Sequence, residues 1–192
     1  MKVNEIFYSL QGEGRWTGTP SVFVRFSGCT LRCIFCDTDH TGSRDMTVEE
    51  ILSALRSSLF SIDAKEVHVV LTGGEPGLQV TQELVDALHQ EGLYIQIETN
   101  GTRQLPEGID WITCSPKDAP VVLSHIDELK VVYNVQDLSQ YNNMKATVYS
   151  LQPMDTGDEN QNRLITQQTI QYCQQHPRWH LSLQTHKMLG IR

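Results

Sequence analysis

Ser21-Val22-Phe23-Val24-Arg25-Phe26 is a short β-branched and aromatic run that leads without a break into Ser27-Gly28-Cys29. Such a composition reads as a strand. The cysteines that follow, Cys29, Cys33 and Cys36, are therefore expected on a loop at a strand end. The pattern recurs twice downstream. Val67-His68-Val69-Val70-Leu71 reads as a buried strand ending in Thr72-Gly73-Gly74-Glu75-Pro76, and residues 94–97 read as a strand ending in Glu98-Thr99-Asn100-Gly101. Helical signals lie between them. Thr47-Val48-Glu49-Glu50 fits a capping box, with Val48, Ile51, Leu52, Leu55 and Leu59 following at helical spacing. Val80, Leu84, Val85 and Leu88 mark a second helix that stops near Gly92.

The second half alternates less clearly. Strands are expected over residues 111–113, 129–133, 146–151 and 180–183, with a helix over about 160–175. Strands alternating with helices imply parallel pairing and an α/β fold. A complete eight-fold barrel takes about 250 residues. With 192 residues and no internal linker, the chain is expected to be one domain, an incomplete barrel or an open sheet. In either architecture functional loops gather at the carboxyl ends of the strands. The cysteine loop, the Gly-Gly-Glu-Pro loop and the Thr99-Asn100-Gly101 loop would then share one rim.

A hydrophobic fraction of 39% and a charged fraction of 20% argue for a folded chain against disorder. The net charge of -8 is a poor match to a duplex-binding protein, which needs clustered Lys and Arg. No stretch approaches the roughly 20 apolar residues of a membrane span, and the start has no apolar signal region. The expected compartment is the cytoplasm. Three of the five cysteines lie within eight residues, which in a reducing compartment points to metal ligation before disulfides.

The spacing CxxxCxxC leaves two readings open. Three thiolates on a four-iron cluster leave one iron without a protein ligand, free to take a small molecule. Alternatively, Cys29, Cys33, Cys36 and His40 form a Cys3His zinc set in a non-catalytic binding module. Cys114 and Cys173 are isolated and read as core or surface thiols.

CxxxCxxC, with Phe35 before its last cysteine, resembles the cluster motif of the radical S-adenosylmethionine superfamily. Gly73-Gly74-Glu75-Pro76 resembles that superfamily's second motif, which contacts the methionine amino group of the cofactor. The resemblance implies a [4Fe-4S] cluster on Cys29, Cys33 and Cys36. Its open iron would chelate S-adenosylmethionine, and an electron would split the cofactor into methionine and a 5′-deoxyadenosyl radical. It also implies a trimmed β/α barrel. The protein would supply placement and shielding for a step that belongs to the cofactor.

A narrower resemblance starts at the N-terminus. Ile6-Phe7-Tyr8-Ser9-Leu10-Gln11-Gly12-Glu13-Gly14, then Gly18-Thr19-Pro20 into the strand, Cys36-Asp37-Thr38, Ser115-Pro116-Lys117 and Leu183-Gln184-Thr185-His186-Lys187 are similar to the 7-carboxy-7-deazaguanine synthase family. That likeness implies a homodimeric lyase that converts 6-carboxy-5,6,7,8-tetrahydropterin to 7-carboxy-7-deazaguanine, losing ammonia, in queuosine and deazapurine biosynthesis. It implies magnesium and an electron donor such as reduced flavodoxin or a ferredoxin-like protein. Carried over by position, Leu10, Gln11, Gly12, Glu13, Arg25, Thr72, His186 and the terminal Arg192 would bind substrate. Thr38 would be the magnesium ligand. Phe35, Cys36, Asp37, Gly74, Ser115, Pro116, Lys117, Gln152, Pro153, Met154 and Asp155 would contact S-adenosylmethionine, with Gln152-Pro153 on a rim loop.

The residues alone leave several roles open. Arg25 on an inward strand position needs an anion, which a substrate carboxylate or an internal ion pair would equally supply. Glu13 is as good a turn residue as an acceptor for a pterin edge. Thr38 reads blandly as a loop hydroxyl. A small activase that makes a glycyl radical on a partner protein would share the cysteine triad.

Overall fold

The structure, a computed structural model, describes residues 1–36, 38 and 42–192. Nine strands form one sheet: β1 (Lys2–Leu10), β2 (Pro20–Phe26), β3 (Arg44–Asp45), β4 (His68–Gly73), β5 (Tyr94–Thr99), β6 (Trp111–Cys114), β7 (Glu128–Tyr133), β8 (Val148–Pro153) and β9 (Trp179–Leu181). Their order is β3-β1-β2-β4-β5-β6-β7-β8-β9. From β2 to β9 every neighbour is parallel, while β1 runs antiparallel to both β2 and β3. The sheet does not close, as the chain length requires.

The described residues also form four α-helices: α1 (Val48–Ser58), α2 (Gln82–Gln90), α3 (Glu159–Gln175) and α4 (Thr185–Leu189). Helix α1 starts on the expected capping box, with Thr47 and Glu50 exchanging side chain-to-backbone bonds. Such a cap is worth about 1 kcal/mol. Helix α2 begins at Gln82, two residues beyond Val80, because Thr81 is its cap and the Thr81 hydroxyl accepts from the Leu84 amide. Leu84, Val85 and Leu88 are fully buried against Ile95 and Ile97 of β5. Each side chain so buried contributes roughly 1.5–3 kcal/mol.

No α-helix lies between β5 and β6, β6 and β7, or β7 and β8. The trimming of the barrel is a loss of crossover helices. Alternation along the strands then explains the molecule's two faces. Val69, Leu71, Ile95, Ile97, Leu129, Val131 and Leu151 are buried in the two apolar clusters that hold the helices. The intervening positions, Thr72, Glu98, Lys130 and Gln152, line the concave side. At its floor Trp16 packs edge-on against His68, Tyr94 and Trp111, so these tryptophans are packing residues.

Five elements differ from the sequence reading. Strand β1, the short helix α4 and the two-residue β3 carry no period of their own long enough to reveal them. Gln152 and Pro153, expected on a rim loop, are the last residues of β8 and pair with Val132 and Tyr133. Strand β9 ends at Leu181, although the Ser182 amide still donates to the Leu151 carbonyl of β8 at 2.9 Å.

Candidate active site

The carboxyl ends of β2 and β4 to β8 surround a cleft of about 740 Å³. The cysteine loop forms one wall. The segment 10–13 that leaves β1 and the C-terminal residues from Gln184 to Arg192 form the opposite wall. The topology brings the two ends of the chain together. The Thr185 amide and hydroxyl both donate to the Gly12 carbonyl at 2.9 Å, and Ser9 Oγ donates to the main-chain oxygen of Arg192 at 2.6 Å. Gly12 is needed here, since a Cβ on it would lie 2.2 Å from His186 Nδ1.

Cys29, Cys33 and Cys36 all line the cleft. Cys36 is exposed, Cys29 and Cys33 half-buried. The Leu31 amide donates to Cys29 Sγ at 3.4 Å, and Asn100 Nδ2 does so at 3.9 Å. Burial pushes the Cys33 thiol up, opposed by the nearby Lys117 ammonium. Cys114 is fully buried and Cys173 lies on α3, so neither joins the triad. This set of three thiols facing a cleft fits a four-iron cluster with one iron left open. Among the described residues no three His, Cys, Asp or Glu side chains gather where one metal ion could sit. A four-iron cluster takes each thiolate on a different iron. His40, the fourth ligand of the zinc reading, lies outside the described residues, as does Asp37.

Glu75 of the Gly-Gly-Glu-Pro loop does not face the cleft. It is fully buried. Its Oε1 accepts from Thr99 Oγ1 at 2.6 Å and the Gly77 amide at 2.8 Å, and its Oε2 from the Asn100 amide at 2.7 Å. The carboxylate latches the loop after β4 to the loop after β5. It leaves Gly74 to form the cleft wall.

Opposite the cysteines lies a buried charge cluster. Lys130 Nζ, 5% exposed, sits 2.6 Å from Glu13 Oε2 and 2.9 Å from Glu98 Oε2. Gln184 Nε2 donates to Glu13 Oε1 at 2.9 Å. Burial favours the neutral form of Glu13, but Lys130 outweighs it and holds that carboxyl down to about 2. Glu98 shares the same ammonium less well. Burial, reinforced by Glu13 and Glu128, pushes it up to about 7. Burial would also discharge Lys130, yet Glu13, Glu98 and Glu128 together raise it. One cation between two carboxylates leaves one of them close to neutral.

Arg25 extends from β2 into the cleft beside Phe7. Its Nε donates to Glu5 Oε1 at 2.8 Å, so the internal ion pair left open by the sequence is formed. Arg192 pairs with the other oxygen of Glu5. Thr38 Oγ1 donates to the Gly73 carbonyl at 3.3 Å, which places an oxygen pair at the rim. Lys117 donates to Ser115 Oγ at 2.6 Å and lies over the Phe35 ring, 5.4 Å from its centroid.

Of the residues singled out from sequence, Leu10, Gln11, Gly12, Glu13, Arg25, Thr38, Thr72, His186 and Arg192 line this one cleft. So do Phe35, Cys36, Gly74, Ser115, Lys117, Gln152, Pro153 and Asp155. Pro116 lines a neighbouring cavity of about 530 Å³. Met154 lines neither and donates its amide to the Tyr133 carbonyl. Part of the set is engaged within the chain. Asp155 accepts from Lys187 at 2.9 Å and is held down at about 2 chiefly by that bond, and Gln152 Oε1 accepts from Ser182 at 3.1 Å. Glu98, Asn100 and Gln184, quoted above only within motifs and given no role, also line the cleft, as do Glu5 and Lys130, which were not singled out. The one available signal was an acid or lysine at alternate positions of an otherwise apolar strand.

Residues 23–120 match the Radical SAM superfamily. Over its whole length the chain is 50% identical to a protein of Bacteroides thetaiotaomicron named 7-carboxy-7-deazaguanine synthase, covering 98% of it. It is 44% identical to the protein of that name from Burkholderia multivorans, over 98% of each. It is also similar to the crystal structure of QueE from Escherichia coli, with a TM-score of 0.74 and 31% identity over 95% of this chain and 92% of that one. No described helix is long and apolar enough to cross a membrane.

Proposed function

The chain belongs to the 7-carboxy-7-deazaguanine synthase family within the Radical SAM superfamily, and from that premise we propose how its own residues carry out the reaction. The substrate is 6-carboxy-5,6,7,8-tetrahydropterin. The product is 7-carboxy-7-deazaguanine, formed with loss of ammonia and contraction of the ring. The observation that carries this reading is the joint lining of one cleft by three thiols on one wall and the Glu13–Lys130–Glu98 cluster with Arg25 on the other.

Cys29, Cys33 and Cys36 hold a [4Fe-4S] cluster. When bound, the cluster and S-adenosylmethionine supply the initiating radical. Phe35, Gly74, Ser115, Lys117 and the end of β8 bind and orient that cofactor, Lys117 with its ammonium fixed by Ser115. The Glu13 carboxylate, kept ionised by Lys130, is an acceptor for the donor edge of an aminopyrimidine. It still has lone pairs beyond those taken by Lys130 and Gln184. Arg25 spends its Nε on Glu5, leaving the two terminal nitrogens for a substrate carboxylate in a bidentate pair. Thr38 brings a hydroxyl for magnesium, which prefers oxygen ligands and keeps several waters. The covering of the cleft by the 10–13 segment and α4 excludes bulk water. A cytoplasmic homodimer served by a flavodoxin or ferredoxin-like donor completes the proposal.

The test is anaerobic reconstitution with iron and sulfide. The expected result is roughly four irons per chain and reductive cleavage of S-adenosylmethionine. Tightly held zinc with no cleavage would instead support a binding module.

A further inference from the structure

Outside the cleft, at the root of β7, lies a carboxylate that the proposed reaction does not use. Glu128 is 1% exposed and does not line the cavity. Among the described residues no cation forms an ion pair with it. Its partners are the Arg15 amide, 3.1 Å from both oxygens, Ser150 Oγ at 2.5 Å and Thr113 Oγ1 at 3.5 Å. A buried carboxylate satisfied only by neutral donors is a costly choice for stability alone, since apolar residues of similar volume serve a core as well.

Its partner identifies its use. Arg15 lies in the 3-10 turn Gly14–Trp16, immediately after Glu13. The turn needs Gly14 twice over. Its φ is +67°, and a Cβ there would lie 2.7 Å from Glu128 Oε1. The Gly14 amide is fixed separately by Ser182 Oγ at 2.9 Å. The backbone on the C-terminal side of Glu13 is thus held by β7 and by the residue that follows β9. Two residues along β7, on the same face, Lys130 grips the Glu13 side chain.

We infer that Glu128 is a positioning residue: it anchors the Gly14–Trp16 turn to β7 and so sets Glu13 and the Gln11–Glu13 segment at the height of the substrate. The inference deepens the reading above and rests on it for the identity of the substrate, though not for the geometry. Replacing one carboxylate oxygen by an amide NH2 leaves the Arg15 N–H one neutral acceptor in place of two charged ones. The anchor is then weakened without removing any group from the cleft.

Two measurements on the reconstituted, cluster-bearing full chain test this. In Glu128→Gln, hydrogen exchange of the peptide covering residues 11–18 should speed by roughly 10- to 100-fold, with β4 and β5 unchanged. The KM for the carboxypterin should rise by a similar factor, while iron content and substrate-free cleavage of S-adenosylmethionine stay as in the parent chain. Gly14→Ala, which drives a Cβ at the same carboxylate, should reproduce the KM shift and keeps the test open if Glu128→Gln fails to fold. Equal loosening of all strands, or equal loss of cofactor cleavage and substrate turnover in both variants, would make Glu128 a structural residue only and overturn the inference. So would a protected 11–18 segment with unchanged KM. A parent chain that ignores the carboxypterin refutes the substrate, and the exchange experiment still decides the anchor.

Discussion

Glu5 and Arg25 face each other across the antiparallel β1–β2 ladder and are ion-paired at 2.8 Å through Arg25 Nε. The pair orients the guanidinium: its central carbon lies over the Phe7 ring, 5.8 Å from the centroid, its Nε is spent, and its two terminal nitrogens remain for the cleft that Arg25 lines. Arg25→Gln should therefore raise the KM for a carboxylated pterin by about 10- to 100-fold, the value of a charge-assisted bidentate pair. An analogue without the carboxylate should be bound equally by both proteins. Equal losses for the two ligands would show that Arg25 serves the strand pair and not the substrate.

The latch formed by Glu75 makes a stability prediction. All three of its partners are donors, and Glu75→Gln must set an amide against one of them. The cost is about 1–3 kcal/mol, read as a lower denaturant midpoint of the chain without cluster. An unchanged midpoint would mean that the two loops are held by other contacts.

Glu98 and Glu13 should respond oppositely to pH. The Glu98 carboxyl is raised from 4.5 to about 7 by burial and by Glu13 and Glu128, so its contribution to stability is full below its unfolded value and lost as pH rises through about 7. Glu13 is lowered to about 2, so its contribution is present above the unfolded value of 4.5 and lost as pH falls toward 2. Thermal melts of Glu98→Gln and the parent should diverge in favour of the variant between about pH 5 and 8. Parallel curves would place the Glu98 proton elsewhere.

Thr38→Ala should weaken the magnesium dependence of turnover while leaving iron content and substrate-free cofactor cleavage intact. A titration of activity against magnesium reads this directly. An identical magnesium midpoint in both proteins removes Thr38 from the metal site.

The fold was legible where one period ran long enough. The strand before Cys29, the capping box at Thr47 and the strand ending at Thr72 emerge with small shifts in their ends. Strand β1 did not, because Asn4 and Glu5 interrupt its apolar run and its antiparallel partner lies across a loop. Helix α4 has five residues and no side-chain cap. The site was legible as motifs and invisible as electrostatics. Glu128 and Lys130 alternate with Leu129 and Val131, a pattern that ordinarily puts the polar side in water. Here the apolar side meets the helices and the polar side is the cleft. No local signal distinguishes the two, so the charge cluster needed the sheet to be assembled. Glu75 was quoted within a cofactor motif and proves to be the bolt behind it.

The central claim is that three cysteines facing a cleft, with a buried cluster of charge opposite, make a ring-contracting synthase. Anaerobic incubation of the reconstituted chain with 6-carboxy-5,6,7,8-tetrahydropterin, S-adenosylmethionine, magnesium and a reductant, followed by mass spectrometry, tests it most directly. The expected products are 7-carboxy-7-deazaguanine and released ammonia. Cleavage of S-adenosylmethionine with the pterin recovered unchanged would contradict it.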